Sequence, residues 1–119
     1  MNDLNNVLVE GRITFEPTTR ETKKGTMVTT FSIASNSFYA GVEEVSYFEI
    51  VCFGKTAEIA YEYSKKGRGV RVTGRMKQER WEQDNNKRQK VVIIASHVEY
   101  DTVKDSVKAD NDNNSWENL

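Results

Sequence analysis

At 119 residues, with 37% hydrophobic and 29% charged side chains, the chain has the size and composition of one folded domain that buries a core without disulfide staples. No run approaches the ~18 apolar residues of a membrane span, and the opening MNDLNNVLVEG has an acid and asparagines where a secretory signal needs cations, so a cytoplasmic protein with no membrane partner is expected. The net charge of -1 hides an asymmetry: residues 101–119 hold five acids and two lysines, net -3, which leaves +2 on residues 1–100.

Taken in chain order, five segments rich in Val, Ile, Thr, Phe and Tyr predict strands at 4–13, 27–36, 45–53, 70–81 and 90–100. Turn signals fall at 23–26, 39–44 and 84–87. Between the third and fourth strands, KTAEIAYEYSKKG repeats Ala57, Ala60 and Ser64 at helical spacing, and Lys65, Lys66 and Gly67 form the expected helix ending. Three strands, one helix and two strands is the order of an all-β, five-stranded OB-fold Greek-key barrel with one helix between strands three and four. That barrel is expected to occupy residues 1–101. The remaining segment, 102–119, has little to bury and is expected to be a disordered acidic tail.

Alternation along a strand separates core from surface. In the third strand Phe48, Ile50 and Cys52 share one face, while Val45, Tyr47, Val51 and Phe53 share the other. Both faces are apolar, yet a small barrel has one interior, so one face must meet a subunit, a ligand or solvent. In the fourth strand Val70, Val72, Gly74 and Met76 suit the interior, and Arg71, Thr73, Arg75, Lys77, Glu79 and Trp81 point outward.

Rings in register with cations suit a single-stranded nucleic acid, because cations track phosphates and flat rings stack on unpaired bases. The candidate platforms are Tyr47, Phe53, Trp81 and Tyr39 with its neighbour Phe38, one of which is expected to point inward. The candidate phosphate contacts are Lys55, Arg71, Arg75 and Lys77.

Enzymatic readings find little support. His97 is the only histidine and lies inside the last strand, where a structural role is expected. Gly67-Arg68-Gly69 stands between helix and strand, the reverse of the order in a phosphate-binding loop. The lone cysteine, Cys52, excludes an internal disulfide or a cysteine-cluster metal site and reads as a small buried side chain. No catalytic residue, metal or cofactor is expected.

The stretches NNVLVEGRI, FSIASNSFY, VSYFEIVCFGKTAEIAYEYSKKGRGVRVTGRMKQERWE and VVIIASHVEY resemble the bacterial single-stranded DNA-binding protein family over residues 1–100. The resemblance implies a homotetramer of OB folds that stacks bases at Tyr39 (or Phe38), Tyr47, Phe53 and Trp81. It also implies a position near subunit contacts for Phe48. Many members carry Trp where this chain has Tyr39 and Tyr47. Many also end in an acidic tip closing with Pro and Phe, which recruits replication, repair and recombination proteins. This chain ends NDNNSWENL, keeping acids and a terminal hydrophobe through Asp110, Asp112, Trp116, Glu117 and Leu119.

The expected function is sequence-independent coating and protection of unpaired DNA during replication, recombination and repair. The rivals are a replication-restart or RNA-directed OB module, a protein-interaction adaptor, and a small nuclease on the same barrel, which has no clustered carboxylates to support it.

Overall fold

The computed structural model describes residues 1–102; the tail residues Asp110, Asp112, Trp116, Glu117 and Leu119 lie outside them. Six strands and one helix follow in the order β1 (Val7–Ile13), β2 (Thr18–Glu21), β3 (Met27–Tyr39), β4 (Val42–Phe53), α1 (Gly54–Tyr63), β5 (Gly69–Gln83) and β6 (Asn86–Tyr100). They form one sheet in the order β1-β5-β6-β4-β3-β2, and an added β1–β3 pairing closes it. The closed ring is therefore β1, β5, β6, β4 and β3, the five-stranded barrel expected, with β2 appended to β3. All pairings are antiparallel except β4 beside β6.

The strand count corrects the sequence reading by one. β2 is the sequence TTRE, with every residue exposed, and a strand with no buried face leaves no alternation to read. The helix still falls between the two segments expected to flank it, which become β4 and β5.

Two hairpins are longer and tighter than expected. β3 and β4 meet at Ala40-Gly41, and β5 and β6 at Asp84-Asn85, with φ of 54°, 79°, 52° and 67°. Positive φ at both central residues is the turn whose twist matches the strands it joins. The strands thus run on past the barrel as two arms, exposed over residues 36–47 and over most of 77–91.

The core lies inside the ring, built from Ile13, Phe31, Ile33, Ile50, Val72 and Ile93, with Ala57 and Ala60 of α1 plugging one end. Small residues at those two positions let the helix approach closely. The Thr29 hydroxyl donates a buried 2.7 Å hydrogen bond to the Ala57 carbonyl. The helix stops at Tyr63, earlier than the basic run suggested, because fully buried Ser64 turns inward to meet the Tyr100 hydroxyl at 3.1 Å. Gly67, at φ 88°, instead donates its N–H to the Ile13 carbonyl, tying the segment after the helix to β1.

Arg68 stands 5.7 and 5.2 Å from the Tyr63 and Tyr100 ring centres and donates from Nε to the Asp101 carbonyl. The end of β6 is pinned there to the end of the helix. Cys52 is fully buried, and desolvation pushes its thiol up to about 12.

Candidate nucleic-acid interface

The outer surface of the barrel follows from register, because residues paired across strands project to the same side. On β3 and β4 the pairs are Val28 with Phe53, Thr30 with Val51, Ala34 with Tyr47, and Phe38 with Glu43. The parallel pairing sets Ile50 beside Ile93 and Val51 beside Ile94, which brings Val92 and Lys90 onto the same outer face. Across β6 the series continues into β5: Arg75 opposite Ile94, Lys77 opposite Val92, Glu79 opposite Lys90, and Trp81 opposite Arg88. One continuous outer face therefore carries Phe38, Tyr47, Phe53, Arg75, Lys77 and Trp81.

Its middle is apolar and closed. Val28, Val51 and Val92 are buried there, with Ile94 packed against them. The apolar outer parity of β4 thus has two causes. Val51 seals the floor with its neighbours and is no platform, whereas Tyr47 remains 68% exposed and Phe53 42% exposed at either side of it. Trp81 is 42% exposed near the tip of the β5–β6 arm, beside an open hollow of about 440 Å³ that Lys77, Arg80 and Lys90 also line.

The expectation that one of Phe38 and Tyr39 points inward is not met. Both are exposed, because the arm has left the barrel and neither side of it has a core to face. Phe38 shares the side of Tyr47. Tyr39, paired with Val42, shares the side of Ile33 and Phe48. Phe48 is half-buried against the core and lines an apolar hollow of about 440 Å³ with Val7, Leu8, Met76 and Val91. Met76 has interior parity yet is half exposed, since it too lies where the barrel opens.

The candidate cations differ among themselves. Arg75 and Lys77 flank the apolar floor and make no ion pair among the described residues. Lys55, one residue into the helix after Phe53-Gly54, is exposed and only 3.8 Å from Glu58.

Arg71 stands apart. Its Nε donates to Glu10 at 2.7 Å, and Glu99 lies 3.6 Å away. The Glu10 hydrogen bond, then the charge of Glu10, raise its pKa further, with a smaller contribution from Glu99. It also sits ten residues from Trp81 on β5, roughly 33 Å along an extended strand, so it lies at the opposite end of the face.

The sequence reading missed Glu49 and Lys90. Lys90 Nζ donates to both carboxylate oxygens of Glu49, at 3.0 and 3.2 Å, and lies 5.7 Å from the Trp81 ring centre. Only the parallel β4–β6 register brings them together, and no local pattern encodes it. His97, expected to be structural, is exposed and 3.6 Å from Glu99. Among the described residues no group of His, Cys, Asp or Glu is placed to hold a metal ion, and no helix is long and apolar enough to cross a membrane.

A closed five-stranded Greek-key ring with its helix after the third barrel strand defines an OB-type barrel protein. The single-strand binding protein family model matches residues 4–101, and the chain belongs to that family.

A single-stranded DNA-binding protein of Treponema pallidum (strain Nichols) is 39% identical over 103 residues, covering 83% of this chain and 58% of the relative. One of Aquifex aeolicus (strain VF5) is 38% identical over 80% of this chain and 68% of its own length. The chain thus spans little more than half of the first relative and about two thirds of the second. Among solved structures, the Plasmodium falciparum SSB complex with ssDNA superposes with a TM-score of 0.77 at 26% identity, over 84% of this chain and 96% of that one.

Proposed function

We propose that the chain binds single-stranded DNA without sequence preference, laying unpaired bases on Tyr47, Phe53 and Trp81 while phosphates run past Arg75, Lys77 and Lys55. One observation carries this: three rings from two strands are exposed on one face, around an aliphatic floor, beside two cations, Arg75 and Lys77, that have no ion-pair partner among the described residues. Rings supply stacking of about 1 to 3 kcal/mol per base, enough for useful affinity on a body of charge +2. Membership of the single-strand binding protein family supports the reading, as do relatives named for binding single-stranded DNA.

In this reading the protein coats and protects unpaired strands during replication, recombination and repair in the cytoplasm, and performs no chemistry of its own. The exposed apolar hollow around Phe48, Leu8, Met76 and Val91 favours assembly of several copies, four in this proposal. The acidic tail, with Asp110, Asp112, Trp116, Glu117 and Leu119, is the proposed site for replication, repair or recombination proteins.

The test is titration of tryptophan fluorescence with oligo-dT, with particle mass measured in the same buffer. Quenching at a fixed stoichiometry from a four-chain particle is expected, and Tyr47→Ala with Trp81→Ala together should remove most of the affinity. Unchanged binding by that double variant would refute the interface.

A further inference from the structure

The proposed interface contains an acid where a polyanion is to bind. Glu49 has the outer parity of Tyr47 and Phe53 and lies between them on β4. Phosphates running past Tyr47 would be repelled by an isolated carboxylate at that place. In the free protein the carboxylate is occupied: both of its oxygens accept hydrogen bonds from Lys90 Nζ.

The same ammonium stands over the Trp81 ring, so one lysine answers both the acid of β4 and the aromatic platform of β5. Both partners of the ion pair are substantially solvent-accessible. An exposed pair of this kind is worth little, and exchange for another anion is easy.

We propose, resting on the nucleic-acid reading above, that Lys90 is an exchanging cation. When a base stacks on Trp81 it displaces the ammonium from the ring, and the long side chain swings from Glu49 to the phosphate of that nucleotide. Glu49 then acts as a brake. It competes with the strand for Lys90 in the free state and is left facing phosphates in the bound state, so it lowers affinity and hastens release. Lys90 thereby joins Arg75 and Lys77 as a phosphate contact, and Glu49 becomes a residue that sets how tightly the strand is held.

The experiment measures binding of one short oligo-dT against salt for the full chain and for Lys90→Gln, Glu49→Gln and the double variant, with thermal melts to confirm that each folds. For single strands log affinity falls with log salt by about 0.7 per neutralised phosphate, so Lys90→Gln should give a slope shallower by about 0.7. Glu49→Gln should bind about fivefold tighter, the most that an exposed ion pair withholds, with the wild-type slope. In the Lys90→Gln background that gain should shrink, because the competition for the lysine is gone and only the repulsion between Glu49 and the phosphates remains.

A wild-type slope in Lys90→Gln would overturn the exchange and make the ion pair a fixed strut between β4 and β6. So would a Glu49→Gln gain that is undiminished without the lysine. If the wild-type chain fails to bind oligo-dT at all, the nucleic-acid reading falls and the exchange falls with it.

Discussion

Gly74 of β5 lies so close to the Ile94 carbonyl of β6 that an added β-carbon would stand far inside van der Waals contact distance of that oxygen. The approach coincides with an irregularity in the ladder. Thr73 pairs with His97 and Gly74 with Ala95, which leaves Ser96 as an extra residue whose hydroxyl donates to the Thr73 carbonyl. The bulge lets the long β5–β6 hairpin bend round the barrel, and only glycine fits inside the bend. Gly74→Ala must therefore move backbone, which costs more than a shifted side chain would. A loss of about 1–3 kcal/mol is expected, read as a thermal midpoint lower by roughly 4–8 °C per kcal/mol for a domain of this size. A midpoint within a degree of wild type would show that the strands part without strain.

Gly74 also marks what the sequence makes legible. The alternation Val70, Val72, Gly74 against Arg71, Thr73, Arg75 reads correctly from the chain alone, because inside the barrel parity and burial coincide. It stops working at Met76 and beyond, where the strands leave the barrel and both parities are exposed. The same physics blurred Phe38 and Tyr39. β2 leaves no trace because TTRE buries nothing, and the apolar outer parity of β4 does not by itself separate Val51, covered by Val28 and Val92 from other strands, from the exposed Tyr47. The Glu49–Lys90 pair rests on a parallel register between strands separated by a helix and a hairpin, which no window of sequence reports.

Register separates the two rings of the β3–β4 arm. Phe38 continues the side of Ala34 and Tyr47, whereas Tyr39 faces the side of Phe48. Phe38→Ala should weaken oligo-dT binding by about 1–3 kcal/mol, the usual worth of one stacked base, or roughly five- to 150-fold. Tyr39→Ala should cost less than half of that free energy. Fluorescence titration of both variants decides it, and a larger loss for Tyr39 would mean that the arm twists enough to reverse its sides.

The cations of β5 are expected to divide in the same way. Arg71 is held by Glu10 and Glu99 and sits at the far end of the face from Trp81. Arg75 flanks the apolar floor between Tyr47 and Phe53 and has no acidic partner among the described residues. Arg75→Gln should make the salt dependence of binding shallower by about 0.7, while Arg71→Gln should leave affinity and slope within error of wild type. Equal slopes for the two variants would show that the strand also runs past Arg71.

Burial of Cys52 sets an alkaline limit on the fold. Desolvation raises its thiol from 9.0 to about 12, so above pH 9 the unfolded chain gives up a proton that the folded chain retains. The unfolded state then binds fewer protons than the native state, and stability falls as pH rises. Below pH 9 the thiol contributes no pH dependence. Between about 9 and 12 the loss approaches about 1.4 kcal/mol per pH unit. Tyr100, also raised by burial, adds a loss of the same sign that begins nearer its own ordinary value. Urea unfolding from pH 8 to 10.5 should therefore show a steep decline in the wild-type chain. Cys52→Ala should be less stable at pH 8, through its small cavity, yet flatter between pH 9 and 10, below the ordinary value of the tyrosine. An equally steep decline in Cys52→Ala would show that the core thiol is not the source of the alkaline weakness.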